Sequence, residues 1–137
     1  MNKFNAKKVE IDGHTFDSKL EAERYQYLLE KIRNGKIRWL ELQPKFEFFI
    51  NGAPVRHSDT KDGKQGRIIT YKADFRYREV VKERQGPDDD PVFDVVVEDV
   101  KGYAQDLFKL KWALCKHIYP TYVWRLVKKT KGEWVQS

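Results

Sequence analysis

The sequence holds one cysteine, Cys115, among 137 residues. That excludes an intramolecular disulfide and a cysteine-based zinc site. Histidine is almost as scarce. His14, His57 and His117 lie far apart without an H-x-x-x-H spacing, and they read as surface or partly buried residues rather than ligands. No apolar run reaches the roughly 18 residues of a membrane-spanning helix. The opening M-N-K-F-N-A-K-K lacks the apolar stretch of a signal peptide, so an intracellular (cytoplasmic) location is expected.

What is present describes a globular protein. Hydrophobic residues make up 40% and charged ones 35%, with 14% aromatic, a balance that can build a core and argues against disorder. The length suits one domain spanning residues 1–137. Lys and Arg number 27 against 21 Asp and Glu, a net charge of +6, which tilts expectation toward an acidic partner such as nucleic acid.

The chain is organised around Tyr71 to Lys101: Y-K-A-D-F-R-Y, a turn-rich insert, then V-F-D-V-V-V-E-D-V-K-G. The valine-rich run suits a strand buried on both faces. Side chains alternate along a strand, so Asp99 and Lys101 share one face while Glu98 and Val100 share the other. Asp74 is available from the preceding strand. Converging carboxylates repel each other unless a cation sits between them, and a hard divalent ion held by oxygen ligands is the usual solution. A solvated ion pair at a strand end is the competing reading of Asp99 and Lys101.

An acid on one strand followed by (D/E)-x-K on the next resembles the PD-(D/E)XK nuclease superfamily, the restriction-endonuclease-like fold. Asp74, Asp99 and Lys101 match its core motif, with Ala73 where proline often stands. The resemblance implies that Asp74 and Asp99 bind Mg²⁺, with Mn²⁺ able to substitute, and that the Val100 carbonyl adds a ligand. Lys101 would assist the attacking water. Glu98 competes with Asp99 for the acidic position, and the face shared with Lys101 favours Asp99.

Residues 8–16 read as a small hairpin about Asp12-Gly13. A helix follows from Ser18, where S-K-L-E fits a capping box, and Gly35 closes it. At about 100° per residue Glu21 lies within roughly 40° of Tyr25, Leu28 and Ile32, whereas Glu23 points to water. Glu21 therefore has two readings, a cap for its own helix and a member of the metal site. The resemblance supports the second, since a glutamate on the first helix completes that site in many superfamily members. Residues 36–50 read as two strands, or one bent at Gln43-Pro44. The order S-K-L-E-A, L-Q-P, Y-x-A-D-F, E-D-V-K-G, across residues 10–125, resembles a family of small phage-associated endonuclease-like proteins. The end-cleaving endonuclease subunits of some transposons share part of it.

Residues 51–66 read as a polar loop, with one strand after it over 67–78. Arg56, Lys64 and Arg67 there either contact phosphates or are simply solvated. The three aspartates of Q-G-P-D-D-D-P lack the spacing of a calcium loop. A second helix is expected over 105–118 with Leu107, Leu110, Leu114 and Ile118 as its apolar side, and Lys109 or Lys111 as DNA contacts. Residues 122–127 read as a last core strand, followed by a basic turn at 128–132 and a short strand at 133–135.

The expected fold is α/β, a mixed sheet with a helix on each side and an α-β-β-β-α-β core. The expected function is a Mg²⁺-dependent DNA endonuclease with Glu21, Asp74, Asp99 and Lys101 as its chemical groups. A non-catalytic or partner-dependent nucleic-acid-binding module is the alternative. With no helix-turn-helix or zinc finger, recognition of DNA structure is expected ahead of sequence, and RNA stays open. A homodimer would suit symmetric cutting, and phage recombination or replication proteins are the expected partners.

Overall fold

The computed structural model of the chain describes residues 7–137. The first six residues of the stretch read above for a targeting signal lie outside these. Strands β1 (Val9–Ile11) and β2 (His14–Phe16) form the expected hairpin. Asp12 and Gly13 both take positive φ, 54° and 77°, as a primed two-residue turn demands. Helix α1 spans Lys19–Arg33. The Ser18 hydroxyl accepts the Glu21 N–H at 3.1 Å and sets its start. At its end Gly35, at φ 72°, donates to the Ile32 carbonyl, and Lys36 donates to that of Lys31. This paired closure is what glycine after a helix permits.

Strands β3 (Ile37–Leu42) and β4 (Lys45–Glu47) flank the Gln43-Pro44 break as expected. The segment beyond differs from its reading as a loop. Strands β5 (Phe49–Ile50) and β6 (Ala53–Pro54) form a hairpin, because Asn51 and Gly52 supply the two positive φ values of a tight turn. The single strand expected over 67–78 is also two, β7 (Thr70–Lys72) and β8 (Phe75–Lys82). The chain changes sheets between them. Ala73 N–H donates to Pro44 O beside β4, and the next N–H, that of Asp74, donates to Glu98 O.

Strand β9 (Val92–Val100), helix α2 (Asp106–Ile118), strand β10 (Val123–Thr130) and strand β11 (Glu133–Gln136) complete the chain. Because β10 runs on to Thr130, the expected basic turn shrinks to Lys131-Gly132. The main sheet has five strands in the order β11-β10-β9-β8-β3, and only the β9–β10 pairing is parallel. Alternation along β9 divides the core. Val96 and Val100 pack with Tyr25 and Leu28 of α1, whereas Val97 packs with Tyr71 and with Cys115 of α2. The helices thus cover opposite faces of a mixed α/β sheet.

The apolar side of α2 is not the one expected. Leu107 and Leu110 are 61% and 58% exposed, and Phe108, Trp112 and Cys115 turn inward beside Leu114 and Ile118. The large rings decide the rotation, since Phe108 and Trp112 meet Tyr71, and Trp112 also meets Trp124. Among the described residues no helix is long and apolar enough to cross a membrane.

Candidate active site

The break between β7 and β8 positions Asp74. Its N–H is held by Glu98 O at 3.2 Å, and its carbonyl accepts the Gln43 N–H at 2.9 Å. Its Oδ2 accepts the Val100 N–H at 2.7 Å. Asp99, 1% exposed, comes from β9 beside it. The Tyr71 hydroxyl donates to Asp99 Oδ2. Lys101 Nζ lies 3.1 Å from Asp99 Oδ1. That contact pairs charge without the alignment of a hydrogen bond, and among the described residues Asp99 Oδ1 alone is a buried side-chain polar atom with no hydrogen-bond partner. Lys101 Nζ also rests 4.5 Å from the centre of the Phe108 ring.

Helix α1 supplies Glu21 in its first turn, where the Ser18 cap holds the backbone. Burial, then the charges of Asp17 and Asp99, push the Glu21 carboxyl up to about 7. Burial, then Asp99 and Glu21, hold the Asp74 carboxyl well above the usual range. For Lys101 burial works the other way, but the Asp99 and Asp74 charges outweigh it and keep the ammonium above its ordinary value. Three acids and one lysine therefore act on each other electrostatically. The cluster is short of positive charge, since Lys101 faces all three.

Glu98 turns to the other face, as alternation requires. It is fully buried, and Arg24 of α1 binds both its carboxylate oxygens while the Tyr77 hydroxyl donates to it as well. Arg125 extends this network, donating to Tyr77 Oη at 3.0 Å and to Glu79 at 2.8 and 3.1 Å. Glu98 is thus committed to the fold, and Asp99 is the acid that meets Lys101. Glu23 pairs with Lys129 at 2.9 Å at the surface.

Sequence reasoning missed Tyr71 and Arg24. Arg24 had a signal: three residues beyond Glu21 it lies only about 60° away around the helix. Tyr71 had none, because its contact depends on the strand break that turns β7 over β9. The basic residues divide. Arg56 donates to Gly66 O at 3.1 Å, bracing its loop, and Lys64 lies 3.8 Å from Asp62. Lys111 donates to Thr70 O at 2.9 Å and so ties α2 to β7. Arg67 and Lys109 are exposed.

The donors here are hard oxygens, and the orphaned Asp99 Oδ1 with the mutual repulsion of Asp74 and Asp99 fits a hard divalent cation. Among the described residues no three acidic, histidine or cysteine side chains converge as a ready metal cage. Magnesium sites commonly need only one or two carboxylates, the rest being water and substrate.

The class defined so far is a mixed α/β domain with a carboxylate and lysine cluster at the end of its central strand. Over residues 1–133 the chain matches the family described as "Protein of unknown function (DUF1064)", and it belongs to that family. No curated protein and no solved structure matches it.

Proposed function

We propose that the protein is a Mg²⁺-dependent endonuclease acting on DNA. The observation that carries this reading is the meeting of Asp74, from the β7–β8 break, with Asp99 of β9, and of Lys101 3.1 Å from Asp99 Oδ1. The sequence α1-β3-β8-β9-α2-β10 has the order of a restriction-endonuclease-like core, which supports the same reading.

Asp74, Asp99 and the Val100 carbonyl would hold the ion, with Glu21 joining directly or through water. When bound, such an ion polarises the phosphate and makes water a stronger nucleophile at neutral pH. Tyr71 keeps Asp99 aimed by occupying Oδ2, which leaves Oδ1 for the ion and Lys101. Lys101 brings a fixed positive charge to the place where negative charge builds on the phosphate. Burial and the neighbouring acids raise the Glu21 carboxyl in the metal-free protein, so a cation bound beside it would favour the ionised form that holds the ion. Arg67 and Lys109 are exposed cations suited to phosphate contacts, and Arg56 and Lys64 lie on the braced loop that leads to Arg67. Selectivity for DNA structure, action in phage recombination or replication, and a dimer with two sites belong to this proposal.

One observation favours a second reading, a module that needs a partner before it cuts. Lys101 Nζ stands 3.1 Å from the same Asp99 Oδ1 that an ion would use, so an entering ion must loosen that charge contact.

The test is cleavage of labelled single-stranded, duplex, flapped and four-way DNAs with Mg²⁺, Mn²⁺ or EDTA. Wild type is compared with Asp99→Ala and Lys101→Ala. Metal-dependent cutting lost in both variants supports the nuclease. Binding without cutting in either metal moves the reading to the partner-dependent module.

A further inference from the structure

Trp39 is 66% exposed and sits at φ 55°, a backbone region that bulky side chains rarely adopt. The register explains it. Arg38 pairs with Arg78 and Glu41 with Arg76, so Trp39 and Leu40 together oppose the single residue Tyr77. This is a β-bulge whose left-handed position is usually glycine. The bulge switches the alternation of β3, letting Ile37 and then Leu40 and Leu42 all face the α1 core while Trp39 swings to the opposite face. Strain of this kind persists only where the surroundings enforce it, and it clusters at functional sites.

Around Trp39 lies the part of the α2-bearing sheet face that α2 leaves open. The Arg78 guanidinium stands 3.9 Å from the Trp39 ring centre and 6.0 Å from that of Phe93, and the two rings are 6.1 Å apart. The neighbouring arginines are neutralised, Arg38 by Glu83 and Arg76 by Glu41. Among the described residues Arg78 has no carboxylate partner. An uncommitted cation is thus held against an exposed indole, beside an open groove of about 440 Å³ that also reaches Val95 and Tyr122. A ligand complementary to both needs a flat π-face for the ring and an anion for the guanidinium.

We propose that Trp39 and Arg78 form a contact site for single-stranded nucleic acid, a base stacking on Trp39 and a phosphate pairing with Arg78. Aromatic stacking of bases beside cationic side chains is the general mode by which proteins hold unpaired strands. Arg78 lies four residues along the strand from Asp74, about 13 Å at the usual rise, so the contact falls on nucleotides away from the carboxylate cluster. In its choice of ligand the inference rests on the nucleic-acid reading above, yet it does not need the protein to cut.

The test is fluorescence anisotropy of a labelled oligothymidylate and of a blunt duplex, without divalent metal, on the full chain. Trp39→Ala is expected to bind the single strand roughly ten- to a hundredfold more weakly. Trp39→Gly removes the ring and relieves the positive φ, so it should bind as poorly while melting no lower than wild type, which separates loss of contact from loss of fold. Trp39→Phe should keep most of the binding. Arg78→Ala should flatten the dependence of affinity on salt by about one phosphate contact. Binding by Trp39→Gly equal to wild type would overturn the site, as would failure of wild type to bind the single strand. Cleavage lost in Asp99→Ala but kept, with normal binding, in Trp39→Gly would sink this inference and leave the nuclease standing. Trp39-dependent binding without any cleavage would do the reverse.

Discussion

The backbone N–H of Val100 donates to Asp74 Oδ2 at 2.7 Å, which couples the side chain from one strand end to the main chain of the strand beside it. That bond ties the carboxylate at the β7–β8 break to the D-V-K segment. Asp74→Ala is expected to abolish cleavage. Asp74→Asn, which can keep the Val100 bond through its amide oxygen, should fold like wild type and still lack activity. Thermal melts beside the cleavage assay check both.

The metal-free protein should lose stability as pH rises through the window from about 4.5 to 7. Glu21 and Asp74 both hold their protons more tightly folded than unfolded, so the folded state binds more protons there. The contribution is complete below the unfolded carboxyl range and disappears as pH climbs past the folded value. Glu79, held below its ordinary value by Arg125 despite opposing burial, acts in the other direction but below this window. Melting temperatures in EDTA across the range should fall, and Asp99→Asn should flatten the fall by removing a charge that acts on both groups.

Adding Mn²⁺ or Mg²⁺ above that window should raise the melting temperature of wild type and not of Asp99→Ala, since a ligand that binds only the folded state stabilises it. A rise of equal size in both proteins would place the ion elsewhere.

Glu98→Ala should cost about 3–5 kcal/mol in urea unfolding, because it leaves the buried Arg24 guanidinium without its counter-ion. The double variant Arg24→Met with Glu98→Leu should recover most of that loss, as apolar replacement of a buried pair often does.

Tyr71→Phe should lower stability by about 1–3 kcal/mol, the cost of removing the donor from a buried acceptor. It should also reduce cleavage by freeing Asp99 to rotate, a loss to be read in single-turnover rates.

The local elements were legible because their causes are local. Asp12-Gly13 specifies its hairpin, Ser18 and Gly35 bound α1, and alternation along β9 places Asp99 with Lys101 and sends Glu98 the other way. The same logic had the signal for the Asn51-Gly52 hairpin, but the polar residues after it masked the turn.

The sequence by itself determined the first hairpin, the two helices, the valine-rich strand and the one-faced pairing of Asp99 with Lys101, since turn chemistry, capping and a two-residue period act between near neighbours. Only the tertiary structure decided the rest. The split of one strand into β7 and β8 depends on Pro44 and Glu98, far away in the chain, each claiming one of two successive N–H groups. That split brings Tyr71 to Asp99. The face of α2 that is buried was chosen by rings on β7 and β10. The exposure of Trp39 follows from a bulge that exists because Ile37, Leu40 and Leu42 must all reach one core, a demand that packing imposes and period alone does not show.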